Sequence, residues 1–154
     1  MNKPGREWYA LSIRQPWIDM ILDGRKTIEV REWRVPPIFR GQFLLHASRT
    51  IDWKTCALFN YSEPSFRHPR GALVGVGTLV DVIELSADGR WGELAMQHRV
   101  IHPPSLNGTA FGLILRNVRS LDEAVPLAGE QGFFVVEGKA LDRICKQLGL
   151  PEGS

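Results

Sequence analysis

Residues Leu11 to Arg31, LSIRQPWIDMILDGRKTIEVR, read as strand, helix and strand with little slack. Ala10, Ser12 and Arg14 alternate with Leu11 and Ile13, the period of a half-buried strand. Pro16 suits the first turn of a helix, where its missing N–H costs nothing. Trp17, Met20 and Ile21 fall at i, i+3 and i+4, one apolar face. Gly24 stands where the helix stops, and a left-handed residue there is cheapest as glycine. From Thr27 to Arg31 alternation resumes, with Ile28 and Val30 on one side and Thr27, Glu29 and Arg31 on the other. Lys26, Glu29 and Arg31 then gather near a helix end, more charge than a core asks for. Along one strand face, Glu29 and Arg31 sit about 7 Å apart, close enough to orient each other.

Gly24, Lys26, Glu29 and Arg31 spell G-x-K-x-x-E-x-R, with Gln15-Pro16-Trp17 just before. This pattern resembles the ASCH (activating signal cointegrator homology) family, and the resemblance extends from Leu11 to about Glu137. It implies a PUA-like α+β fold: a small mixed β-barrel of about five or six strands with flanking helices. It also implies a cleft beside the motif. Members of that family have been linked to RNA or DNA binding, to ribonuclease activity and to hydrolysis of an acetylated cytidine. The binding role comes first here, with single-stranded or modified RNA, another single-stranded nucleic acid, or a nucleotide or modified nucleoside as the expected partner. Lys26 and Arg31 would hold phosphate or a polar base edge, and Glu29 would accept from an exocyclic amine or brace the cations. Trp33 offers a stacking surface or caps the core. In the family pattern the next strand also lines the cleft, which adds His46, Ser48 and Arg49; a satisfied structural role for His46 is the blander reading.

A metal-independent hydrolase is the alternative, with Lys26 and Glu29 as its catalytic pair. The acetylcytidine amidohydrolases resemble this chain in the stretch from Gly24 to Ile28. They use a lysine, a threonine three residues later and a distant glutamate. The lysine falls on Lys26 and the glutamate loosely near Glu93, but Glu29 stands at the threonine's position. A hydroxyl nucleophile is therefore missing there, and that activity is expected to be absent. Glu29 or His46 moving protons in a ribonuclease stays open. A protein-interaction module is the third class, and it would show an exposed apolar patch away from the motif.

The remaining composition fits one compact domain over residues 1–154. At 154 residues the chain can bury about two thirds of its unfolded surface. No apolar run is long enough for a membrane span, and MNKPGREWYA lacks an apolar signal region. A cytoplasmic location follows as an expectation. Cys56 and Cys145 form no CxxC and read as buried free thiols. Residues 1–70 hold 12 Lys plus Arg against 7 Asp plus Glu, while residues 71–154 hold 7 against 10. The basic half is the half with the motif.

In chain order, Met1 to Arg6 reads as a loose leader. Pro36 and Pro37 turn residues 32–40 into a loop. Gly41 to Ser48 is a strand, and Asp52 to Phe59 a short helix with Asp52 as N-cap. Tyr61 to Arg70 is a loop whose Arg67, His68 and Arg70 can touch phosphate. Gly71 to Leu85 is the longest strand signal. Its Gly75-Val76-Gly77 lacks the third glycine and following helix of a nucleotide loop, so these glycines mark a bend or close backbone approach. Asp88-Gly89 is a turn and Arg90 to His98 a helix. Ala110 to Val118 is a strand, Leu121 to Glu130 a connection, and Gly132 to Glu137 a last strand. Ala140 to Leu148 is an amphipathic helix, part of a C-terminal helix and tail over residues 138–154.

No metal or cofactor is expected. The four histidines and two cysteines have no ligand spacing, and Pro103-Pro104 breaks any helix joining His98 to His102. Ser48 has no spaced base and acid for a triad. The oligomeric state is not readable.

Overall fold

In the computed structural model, the described residues are 7–85, 89–101 and 109–151. The leader Met1 to Arg6, Asp88 of the expected turn, His102, Pro103-Pro104 and the last residues of the tail lie outside them. Among the described residues six strands form one mixed sheet, in the order β2-β5-β4-β3-β1-β6. They are β1 (Trp8–Gln15), β2 (Ile28–Arg31), β3 (Gly41–Ile51), β4 (Ala72–Leu85), β5 (Ala110–Pro126) and β6 (Phe133–Val136). Five short helices flank it: α1 (Trp17–Leu22), α2 (Trp53–Leu58), α3 (Arg90–Glu93), α4 (Ala95–His98) and α5 (Gly138–Leu148). None of the described helices is long and apolar enough to cross a membrane.

The opening stretch folds largely as its pattern demands. β1 runs parallel to β3, Ser12 opposite His46, and a parallel pair requires a crossover connection. Here α1 and β2 form it. Gly24 takes φ +87° just past α1, with its N–H bonded to the Ile21 carbonyl at 3.1 Å. Asp52 caps α2 by accepting from the Thr55 N–H at 3.1 Å. Helix α5 starts two residues earlier than expected and ends at Gly149 with φ +69°. Its Ile144 and Cys145 are buried, and both cysteines are free and buried.

Two expectations are corrected. The barrel does not close: the sheet begins at β2 and ends at β6, with no ladder between them. Both edge strands are only four residues long. Side chains fill the seam instead. Arg31 on β2 donates to the Ser12 carbonyl of β1 at 2.8 Å, and Trp33 packs edge-on against Phe133 of β6. The second correction concerns Leu121 to Glu130. This is not a connection throughout, because β5 continues to Pro126 and pairs with β4 as far as Ala72. Three register irregularities along that ladder break the alternation, and among the continuing residues only Val125 is buried.

Apolar burial falls into two main clusters and a small third one of Leu85, Trp91 and Ala110. Leu11, Ile13, Ile18, Ile21, Phe43, Leu45 and Leu113 form one cluster. Trp8, Ala10, Leu44, Leu73, Val125, Phe134 and Ile144 form the other, packed under α5. Neighbours on β1 and β3 thus divide between clusters, as strand alternation requires. Gly75 has the close approach its sequence suggested. A Cβ there would lie 2.5 Å from Leu22 Cδ2 and 2.9 Å from the Arg119 carbonyl oxygen, so only glycine lets α1 lie down on the sheet.

Candidate functional site

The segment after α1 is held by backbone bonds from three directions. Lys26 N–H donates to the Met20 carbonyl, Thr27 N–H to Gln97, and Leu115 N–H to the Thr27 carbonyl. This threading carries the Lys26 side chain inward rather than out to a cleft mouth. Lys26 is 1% exposed and Glu29 5%. Such burial of charge is tolerable only with partners. The Lys26 Nζ donates to the His98 carbonyl at 2.5 Å. It lies 3.5 Å from Glu29 Oε1 and 4.4 Å from the Trp17 ring centroid. The carbonyl belongs to the last residue of α4, whose C-terminal oxygens have no partner within the helix. Lysine is thus a helix cap, a carboxylate partner and a cation over an aromatic face at once.

Glu29 uses both oxygens. Oε1 accepts from the Val30 N–H at 3.2 Å, and Oε2 accepts from Arg31 Nη2 at 3.0 Å. Arg31 carries the connection across the seam to the Ser12 carbonyl. Its Nε is buried with no hydrogen-bond partner among the described residues. The Ser12 hydroxyl in turn meets His46 Nδ1 at 2.9 Å, and His46 Nε2 lies 2.6 Å from the Leu127 carbonyl. A carbonyl can only accept, so Nε2 carries the proton and Nδ1 accepts from Ser12. The polar chain therefore runs Lys26, Glu29, Arg31, Ser12, His46.

Burial shifts the ionisable members. It lowers the Lys26 ammonium to about 8, against the attraction of Glu29, while Arg31 pushes it further down. His46 is lowered from its ordinary value by burial, partly offset by its bond to Leu127. His98 is lowered by burial too, partly offset by the Trp91 carbonyl, with Lys26 adding to the fall. His98 Nε2 faces the Trp91 carbonyl at 2.8 Å, and Nδ1 accepts from the Val100 N–H at 3.0 Å. That pairing suits a neutral ring.

The eight sequence candidates do not share one surface. Lys26, Glu29 and Arg31 form a single network, with Gly24 exposed at its edge. His46 joins it through Ser12 but is 1% exposed and lies under Gly129, where a Cβ would come within 2.7 Å of its ring. Trp33 is half-buried in an aromatic cluster in which Phe39 stacks on Phe133 at 4.6 Å. Ser48 and Arg49 lie farther along β3. The Ser48 hydroxyl accepts from the Thr50 N–H, and the Arg49 carbonyl accepts from Arg70. Sequence reasoning missed Trp17, Ser12 and His98 as partners of the motif. Only Trp17 carried a signal, since it stands in the Gln15-Pro16-Trp17 run. Among the described residues no three His, Cys, Asp or Glu side chains are placed to hold a metal ion.

Comparison with known proteins bears on the fold and the family. The sequence profile of the ASCH domain matches residues 11–127. Among solved structures, an ASCH protein from Zymomonas mobilis is similar in fold. It superposes with a TM-score of 0.65 at 13% identity, covering 93% of this chain and 94% of that one. Two single-residue mutants of that protein, also at 13% identity, each give a TM-score of 0.66, covering 94% and 92% of this chain and 98% of theirs. A comparison with curated protein sequences found no match. The matched residues contain the whole G-x-K-x-x-E-x-R network and most of the six-stranded sheet, and on that ground the chain belongs to the ASCH domain family.

Proposed function

We propose that this chain binds RNA, as single-stranded or modified RNA or a nucleotide, on the surface around the G-x-K-x-x-E-x-R motif. One observation carries the reading: two cations, Lys26 and Arg31, share a single carboxylate in a largely buried network. Their positive excess has little water to screen it, so it favours an anionic or electron-rich group at the nearby surface. Phosphate oxygens and base carbonyls are such groups. Arg31 is the member that reaches solvent, with 21% of its side chain exposed. Lys26 acts from beneath, through its field and by fixing Glu29. The exposed part of Trp33 supplies a face on which a base stacks. The basic excess of residues 1–70 supports the same partner class.

A binding titration tests this. Affinity for a single-stranded RNA oligonucleotide should fall steadily as salt rises. Trp33→Leu keeps an apolar side chain in the cluster but removes the stacking face, and should weaken binding by roughly 5- to 100-fold. Lys139→Ala, an exposed change in the acidic half, should leave affinity nearly unchanged. No binding at low salt, or equal losses in the two variants, contradicts the proposal.

A further inference from the structure

Away from the Lys26 network, three residues distant in sequence meet in a chain of short hydrogen bonds. His68 Nδ1 lies 2.6 Å from Asp19 Oδ1, and His68 Nε2 lies 2.9 Å from the Ser120 hydroxyl. Asp19 comes from α1, His68 from the loop after α2, and Ser120 from β5 opposite Gly75. Their exposure is graded. Asp19 is 2% exposed, the His68 side chain 17%, and Ser120 faces solvent. The geometry points to an active site distinct from the proposed RNA-binding surface, a Ser120–His68–Asp19 triad that hydrolyses small carboxylic esters, preferentially those carrying a negative charge.

The parts fit the roles. Asp19 is a positioning residue, itself fixed by the Arg67 N–H at 2.7 Å and Gln15 Nε2 at 2.9 Å. Burial acts to raise its carboxyl pKa, but the donors from His68, Arg67 and Gln15 outweigh burial and hold it below the usual range. An ionised Asp19 accepts, so His68 Nδ1 donates and Nε2 is left to accept the Ser120 proton. Nucleophile, base and orienting acid within these distances are the arrangement that activates a hydroxyl. A surface cavity of about 350 Å³ opens at the Asp19 end of the triad, lined by Asp19, Arg25, Tyr61 and Arg67 among others. Asp23 neutralises Arg25 at 2.7 Å, which leaves the exposed Arg67 as the cation that selects an anionic ester.

In the step itself, Ser120 Oγ bonds to the acyl carbon while its proton passes to His68 Nε2. The C–O bond to the alcohol then breaks, and the alcohol leaves with that proton. Water attacks the acyl-serine and gives a proton to His68. Ser120 leaves the acyl carbon and recovers the proton. Ester and water become acid and alcohol, with no other reactant.

A fluorophosphonate probe and two chromogenic esters, 4-nitrophenyl acetate and mono-4-nitrophenyl succinate, test the site on the intact chain. The probe should form an adduct that peptide mass spectrometry places on Ser120 and that Ser120→Ala abolishes. His68→Gln should slow both labelling and ester hydrolysis by about 100-fold or more. Arg67→Ala should raise KM for the succinate ester more than for the acetate. Absence of an adduct on Ser120, or labelling at the same rate in His68→Gln, overturns the proposal and reduces the three residues to an anchor for the 61–70 loop. Ser120→Ala alters an exposed position, so its folding is checked by an unchanged thermal transition. Ser120→Ala and His68→Gln lie outside the Gly24–Trp33 segment of the RNA-binding surface proposed above, whereas Arg67 shares a cavity with Asp23 and Arg25 of the neighbouring stretch.

Discussion

Glu29→Gln should destabilise the fold by about 3–5 kcal/mol, the cost of leaving buried charge without its partner. The substitution keeps the shape of the side chain but removes the carboxylate that Lys26 and Arg31 share. Two cations then face each other in a site with little water. For a chain of this size the loss corresponds to a fall in Tm of roughly 6–20 °C. Lys26→Met should behave differently. It leaves Glu29 and Arg31 as a matched pair at 3.0 Å and removes an ammonium that is 1% exposed. Its main cost is the His98 carbonyl left without a donor, about 1–3 kcal/mol, and the lifted desolvation offsets part of that. Urea unfolding of both variants at pH 7 measures the difference. Equal losses, or a larger loss in Lys26→Met, would show that Glu29 is not the hub of the network.

The second large effect is on pH dependence. The Lys26 ammonium is lowered to about 8 in the folded chain, whereas in the unfolded chain it titrates near its ordinary value, about 10.4. Between these values the unfolded state holds a proton that the folded state has lost. Stability contributed by Lys26 therefore rises with pH across that window. It is fully present above the unfolded value and is lost as pH falls through about 8. The gain amounts to roughly 3 kcal/mol. Other groups contribute their own pH dependence, among them Cys56, whose thiol is raised by burial and by the nearby Asp52. Subtracting the unfolding free energy of Lys26→Met at each pH removes their contribution. The difference should climb toward pH 10. A flat difference would mean that Lys26 is not held in a desolvated site.

The motif was legible as sequence, but its depth was not. Pro16, Trp17 and Gly24 mark the helix by local physics, and the structure obeys them. The Asp52 cap and the α5 face were readable for the same reason. Strand alternation correctly put Glu29 and Arg31 on one side, and they meet directly at 3.0 Å. What lay beyond reach was the cover. The acceptor for Lys26 is a backbone carbonyl 72 residues away, and a backbone carbonyl leaves no trace in residue identity. Three close charges therefore suggested a cleft mouth, when each charge had a partner inside. Likewise, Arg31 and Trp33 look like ligand contacts in the sequence, yet both are used within the fold: Arg31 donates to the Ser12 carbonyl of β1 and Trp33 packs against Phe133 of β6. The length of β5 was hidden because its second half mixes polar and apolar residues without a strand's alternation, with Asp122 and Glu123 exposed in it.

The central claim is that RNA meets this chain at the G-x-K-x-x-E-x-R motif. The most direct test is an NMR titration of the nitrogen-15-labelled chain with a single-stranded RNA oligonucleotide at low salt. The claim predicts that amide shifts concentrate in Gly24 to Trp33 and that the Trp33 indole N–H moves with them. It is contradicted if the spectrum is unchanged, or if the shifts are confined to α5 and leave Gly24 to Trp33 unmoved.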